Sequence, residues 1–178
     1  MNQLAICVGA QKAGTSWLFR CLQEHPDVCC APQKEIHYFS SDNYTQNNSA
    51  YLEHFSGCSD RKVLFESSTS YLSHPDAAER IYRDFPEAKI IILLRQPIDR
   101  TFSHFNHQQQ RGRINPEISV LEAVETHPEL LENSRYQKHL SQFQEIFTAE
   151  QMLVLDFANI ARHPQAIINQ VCSFLEIS

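Results

Sequence analysis

The sequence predicts an α/β domain with a parallel central sheet flanked by helices. Short apolar runs, Leu4 to Val8, Lys62 to Glu66, Lys89 to Leu94 and Met152 to Asp156, are each followed by a stretch with helical spacing. Residues apolar at consecutive positions suit strands buried on both faces, as in a parallel sheet covered by helices. Strands separated by helices also require crossover connections, and these put ligand-binding loops at the carboxyl ends of the strands.

The totals are those of one ordinary domain. A chain of 178 residues, 42% hydrophobic and 20% charged with only 4 glycines, buries a sizeable core without low-complexity tracts or repeats. A formal net charge of -6 argues against a nucleic-acid surface and leaves room for one local basic pocket. No basic and apolar leader and no run long enough to span a membrane is present, so the reading is a cytoplasmic chain. Cys7, Cys21, Cys29, Cys30, Cys58 and Cys172 fall at irregular spacing, which suggests reduced thiols rather than a disulfide framework or zinc knuckle.

In chain order, Leu4 to Val8 is the first strand and Gly9 to Trp17 joins it to a helix from about Thr15 to Glu24. His25-Pro26-Asp27 stops that helix, because proline cannot continue it. Val28 to Pro32 is short and apolar, and Lys34 to Phe39 alternates as a loop or strand edge. A polar loop from Asp42 to Ser49 precedes a short helix around Tyr51 to Phe55. Lys62 to Glu66 is a central strand, followed by the hydroxyl-rich loop Ser67-Ser68-Thr69-Ser70. Pro75 opens a helix to about Phe85, and Lys89 to Leu94, with Ile-Ile-Ile-Leu-Leu, is the clearest strand. Pro97 begins a helix running toward Gly112, helical stretches lie near Ser119 to Glu125 and Tyr136 to Phe147, and Met152 to Asp156 and Pro164 to Leu175 close the pattern.

The informative stretches sit at strand ends. Gly9 and Gly14 are spaced as in the phosphate-binding G-x-x-x-x-G-K-[ST] loop, but Thr15 stands where that loop has its lysine, and the lysine is inside the loop at Lys12. Thr15 and Ser16 keep the hydroxyls, which by themselves also suit a helix N-cap. Val154-Leu155-Asp156 is the only apolar run ending in an aspartate to complete a metal site, and His104 and His107 have no further ligand at suitable spacing, so no metal is expected. A lysine, amides and hydroxyls without a metal suit transfer of a singly charged sulfuryl group. Leu94-Arg95-Gln96-Pro97-Ile98-Asp99-Arg100-Thr101-Phe102-Ser103 adds a second anion site, with Arg95 at a strand end and Ser103 about two turns along the next helix.

On these two motifs the chain resembles the PAPS-dependent sulfotransferases, whose donor is 3′-phosphoadenosine 5′-phosphosulfate and whose product is the 3′,5′-bisphosphate PAP. Gln11-Lys12-Ala13-Gly14-Thr15-Ser16-Trp17 is similar to that family's 5′-phosphosulfate loop, and L-R-x-P-x-x-R-x-x-S to its 3′-phosphate motif. The resemblance implies a P-loop nucleotide-hydrolase-like sulfotransferase fold. It assigns Gln11, Lys12, Ala13, Gly14, Thr15, Ser16 and Trp17 to the phosphosulfate and Arg95 and Ser103 to the 3′-phosphate. Lys34-Glu35-Ile36-His37-Tyr38-Phe39 is similar to the K-E-x-x-[FY]-F segment of carbohydrate and bacterial members, which makes Glu35 the catalytic base, Lys12 the group that neutralises the leaving phosphate, and His37 a second candidate base. Glu66 and Tyr71 fall in a stretch similar to the family's E-x-[ST]-x-x-Y acceptor side, and Ser134-Arg135-Tyr136 is also familiar from bacterial members.

Two departures qualify the carry-over. Ser67 stands where heparan-type members have a lysine, which points to a small or uncharged hydroxyl acceptor. The chain reads as a single sulfotransferase-type domain, 1–178, without the usual basic, Gly-containing segment that closes over the nucleotide, and Arg111-Gly112-Arg113 is not a substitute for it. Two alternatives to transfer therefore stay open: a domain that binds PAPS or PAP with little turnover, and a P-loop-type kinase, which the absent G-K-[ST] disfavours. The acceptor expected is a small-molecule or carbohydrate hydroxyl, with no nucleic acid and no membrane span.

Overall fold

A computed structural model describes residues 2–178. Five parallel strands form one sheet in the order β2-β3-β1-β4-β5, with β1 Gln3–Gly9, β2 Val28–Cys30, β3 Val63–Ser67, β4 Lys89–Leu94 and β5 Met152–Asp156. The central strands are buried along nearly their whole length, which is why they read as unbroken apolar runs rather than alternating ones. Helices α1 Thr15–Gln23, α2 Asn48–Leu52, α3 Ala77–Asp84, α4 Pro97–Gln110, α5 Val120–Thr126, α6 Glu129–Glu132, α7 Tyr136–Gln144, α8 Phe157–Arg162 and α9 Pro164–Phe174 complete the described residues, with short 3-10 turns between.

The expected parallel α/β architecture is the one observed. Three elements add to the expected pattern. The apolar Val28 to Pro32 segment supplies the edge strand β2, which pairs with β3. Helices α6 and α8 are each too short to show a periodic pattern, and Asp156 caps α8 by accepting from Ala158 N at 2.9 Å. That capping role is the local use of the aspartate weighed above as a metal ligand. The helix near Tyr51 starts earlier than expected, because Asn47 accepts from Ala50 N at 3.3 Å and caps it.

The order places β1 between β3 and β4, so the loops after these three strands emerge side by side. Main-chain bonds lace them together: Ala10 N donates to Leu93 O at 2.7 Å, Ser68 N to Cys7 O at 3.2 Å and Leu72 N to Val8 O at 2.9 Å. Gly9, at φ 147, is required here, since a Cβ would stand 2.9 Å from Leu72 Cβ. An aromatic cluster of Phe39, Tyr51 and Phe85, with Phe39–Tyr51 centroids 4.9 Å apart, anchors the chain beyond Lys34 against the core.

The expectation of reduced thiols throughout is corrected. Cys29 and Cys58 form a disulfide, with Cα atoms 5.8 Å apart, that ties β2 to the turn before β3. Cys7, Cys21, Cys30 and Cys172 are free. A pairing across a sequence separation of 29 carries no local signature, and only the tertiary approach of the two chain segments reveals it. In the chain-entropy view such a loop closure is worth about 3 to 4 kcal/mol. No helix among the described residues is long and apolar enough to cross a membrane.

Candidate active site at the carboxyl edge of the sheet

A cavity of about 730 Å³ opens where the β1, β3 and β4 loops converge. Its floor is Gln11, Lys12, Gly14 and the start of α1. Gly14 caps the helix at φ 94 with no side chain to satisfy the first-turn amides, so the N–H groups of Thr15 and Ser16 face the cavity end of the helix dipole unpartnered by a cap. Gly14 is dictated by space as well as by φ: a Cβ there would lie 2.8 Å from Ile160 Cδ1 and 3.0 Å from Phe157 Cδ2. Lys12 holds a left-handed conformation at φ 69, a strained arrangement for a side-chain-bearing residue that concentrates at ligand-holding loops. Its ammonium is pushed below the usual lysine range by burial, then by the Arg111 and Arg95 guanidiniums.

The β4 loop contributes Arg95. Its Nη1 donates to Lys12 O at 3.3 Å and its guanidinium lies 4.7 Å from the centroid of the Phe157 ring, so its direction is fixed on two sides. Helix α4 begins with Pro97 and a Gln96 cap that accepts from Asp99 N at 2.8 Å, and it turns Ser103 and, one turn on, His107 toward the cavity. Arg111 at its C-cap and Arg113 just beyond line the same wall.

The opposite wall comes from the segment after β2. Glu35 is held by the β3 loop: Thr69 N donates to Oε2 at 2.7 Å, and Thr69 Oγ1 lies 2.9 and 3.0 Å from the two carboxylate oxygens. Lys34 Nζ is 3.5 Å from Oε1, and His37 Nε2 is 3.8 Å from Oε2. The His37 ring is half-exposed, with Nδ1 2.8 Å from Ser70 Oγ.

Of the residues singled out in the sequence, Gln11, Lys12, Gly14, Thr15, Ser16, Glu35, His37, Arg95 and Ser103 meet in this one cavity. Ala13 and Trp17 do not line it. Ala13 is fully buried and its amide is already spent on Ala10 O at 3.2 Å, while Trp17 packs against the core and its amide donates to Gly14 O at 3.0 Å. Glu66 and Tyr71 are also buried away from it, against the acceptor-side expectation. Arg100, of the second motif, is wholly buried: it donates to Leu130 O and Ser134 Oγ and so clamps α4 to the α6 turn. His104 and His107 diverge, His104 inward toward Arg100 and Gln108, His107 to the cavity.

Lys34, Thr69, His107, Arg111, Arg113 and Phe157, none of them expected as site residues, also line the cavity. A readable signal existed for two of them, since Ser103, His107 and Arg111 recur every four residues along one helix face. Phe157 and Thr69 come from other strand ends and carry no such signal. Ser67, whose lack of charge pointed to an uncharged acceptor, is buried in β3. Lys34, Arg111 and Arg113 nevertheless make the cavity strongly cationic.

A profile of the sulfotransferase domain matches residues 3–178, the whole described chain but for its first residue. The chain belongs to the sulfotransferase domain family. A sulfotransferase from Alicyclobacillus acidocaldarius superposes with a TM-score of 0.88 at 31% identity, covering 100% of this chain and 82% of that one. Among curated sulfotransferases, a membrane-associated one of Dictyostelium discoideum is 31% identical over 153 residues, 79% of this chain and 32% of its own length. The mouse heparan sulfate glucosamine 3-O-sulfotransferase 5 is 28% identical over 97% of this chain and 53% of its own. The chain thus spans about a third to a half of these curated sulfotransferases. A mouse sulfotransferase crystallised with PAP shares the fold, with a TM-score of 0.69 at 15% identity.

Proposed function

We propose that this chain is a PAPS-dependent sulfotransferase that moves a sulfuryl group to the hydroxyl of a small molecule or carbohydrate. The observation that carries this reading is the meeting, in one cavity, of the Lys12 loop and the Arg95–Ser103 pair on one side with Glu35 on the other. The residues fit a nucleotide with two anionic ends. Uncapped amides at the start of α1, the Gly14 cradle and a Lys12 crowded by cations all favour a bound phosphosulfate. Arg95, stacked on Phe157, and Ser103 suit the 3′-phosphate that distinguishes PAPS from ATP. Gln11 lines the same floor, whereas Ala13 and Trp17 serve the loop's packing.

In this mechanism Glu35 takes the proton of the acceptor hydroxyl as its oxygen attacks sulfur, and the bond from sulfur to the bridging phosphate oxygen breaks in line. Lys12 neutralises the charge that develops on the departing phosphate, and PAP leaves. His37, beside Glu35 and hydrogen-bonded to Ser70, is the second candidate for the proton. The acceptor class draws support from a relative named for a glucosamine hydroxyl of heparan sulfate. The Cys29–Cys58 disulfide weighs against the cytoplasmic location read from the sequence, since such bonds persist in oxidising compartments.

The test has two parts. PAP at about 100 times its dissociation constant should add about 2.7 kcal/mol to the unfolding free energy. Stabilisation by ATP with Mg²⁺ and none by PAP would replace this reading with a kinase. Transfer of radiolabelled sulfate from PAPS, screened over carbohydrate and small hydroxyl acceptors, then separates an enzyme from a domain that only binds.

A further inference from the structure

Behind Glu35 lies a buried polar group that the transfer mechanism does not use. The Ser68 hydroxyl is wholly buried and makes three bonds: it lies 2.8 Å from Glu66 Oε2, and the amides of Ile36 and His37 each donate to it at 3.0 Å. A hydroxyl has one proton and two acceptor lone pairs. Since both amides can only donate, the Ser68 proton must go to Glu66. The direction of the chain is therefore set, and it requires an acceptor at Glu66.

Glu66 is itself fully buried on β3, accepts from Tyr51 OH at 3.2 Å, and has no cationic partner within ion-pair distance among the described residues. A buried carboxylate without a cation is expensive to keep. Burial pushes its carboxyl up to about 7, against the bonds from Ser68 and Tyr51, which pull it down. An apolar residue of similar size would serve packing at least as well, so the group has another use.

That use is visible in what the relay holds. His37 sits at φ 59, a conformation that residues other than glycine disfavour, and it is kept there by its amide bond to Ser68. The next residue, Thr69, clasps the Glu35 carboxylate, and Ser70 meets the His37 ring. Three consecutive hydroxyls at the carboxyl end of β3 thus grip the backbone, the carboxylate and the imidazole of the segment Glu35 to His37. We infer that Glu66 and Ser68 are positioning residues for sulfuryl transfer, a carboxylate–hydroxyl–amide relay that fixes the backbone carrying Glu35 at the cavity wall.

This inference rests on the reading of Glu35 as the base, and its test has one readout that does not depend on turnover. In the intact protein, amide hydrogen exchange at Ile36 and His37 should be slow. Ser68→Ala should speed exchange at those two amides by more than about tenfold, with β1 and β4 unaffected, and should lower kcat on the order of a hundredfold while the KM for PAPS stays within about twofold. Ser68→Thr should recover most of the rate. Glu66→Leu, which fills the space without an acceptor, should behave like Ser68→Ala, and Glu66→Gln, which keeps an acceptor for Ser68, should lie near wild type. Unchanged exchange in Ser68→Ala, or PAP affinity falling in step with kcat, overturns the relay. A protein that loses exchange protection in Ser68→Ala, yet transfers sulfate to no acceptor as wild type, supports the relay and overturns the transfer reading instead.

Discussion

Thr69 clasps Glu35 by both its main chain and its side chain, with N 2.7 Å from Oε2 and Oγ1 2.9 Å from the same oxygen. The two residues lie in the segments that follow two different strands, β2 and β3, so the geometry of the proposed base is set by sheet pairing rather than by local sequence. Thr69→Val removes the hydroxyl and keeps the amide. Hydrogen bonds to a charged group are worth about 1.5 to 3 kcal/mol, so steady-state kinetics should register a fall in kcat of roughly 10- to 100-fold with the KM for PAPS unchanged. Glu35→Gln should abolish transfer and leave the thermal shift by PAP intact; loss of both together would make Glu35 a structural residue.

Gly14 sets a second prediction. At φ 94, with the space for a Cβ occupied by Ile160 and Phe157, alanine is strained in backbone and in packing. Gly14→Ala should cost about 1 to 2 kcal/mol in urea unfolding. Because Phe157 is also the surface on which Arg95 stacks, PAP affinity measured by calorimetry should fall more than about tenfold, well beyond the change in stability.

The two arginines of the second motif should separate cleanly. Arg100→Met removes the charged donors to Leu130 O and Ser134 Oγ, leaving Leu130 O with the Thr101 hydroxyl alone, and should destabilise the protein by about 2 to 3 kcal/mol. Arg95→Met touches no core contact of that kind, and should lower PAP affinity with little change in the unfolding midpoint. Equal effects on stability would refute the division of labour.

The pH dependence of stability should contain two opposed contributions. Glu66 titrates at about 7 in the fold, well above its ordinary value of 4.5, so the folded state binds the extra proton in that window and this contribution is lost as pH rises through about 7. His104 is lowered to about 4 by burial and then by the Arg100 cation, so the unfolded state binds the extra proton between about 4 and the ordinary 6.5, and this contribution is lost as pH falls through that range. The Glu66 part amounts to about 3 kcal/mol. Glu66→Gln should therefore steepen the loss of stability on acidification from pH 6.5 to 4.5, measured by urea titrations across that range. Parallel curves for variant and wild type would show that Glu66 is not the titrating group.

Much of the site was legible because its anion-binding half is local. A strand, a glycine loop and a helix start lie within Gln3 to Gln23, and Arg95 and Ser103 are about two helical turns apart, so spacing alone brings out both halves of the proposed nucleotide site. Ala13 and Trp17, also expected at the ligand, have amides bonded within the loop and side chains packed on the core, since a motif gives residue types and not the direction each bond takes.

The sequence by itself determined the parallel α/β class, through unbroken apolar strands and helical spacing between them, and the set of residue types in the Lys12 loop. Only the tertiary structure decided what faces Glu35, why Glu66 is buried, that Cys29 meets Cys58, and that Arg111 shares a wall with Lys12. These are contacts between segments far apart in the chain, and their energies depend on burial and direction, which emerge only when the strands pair around β1.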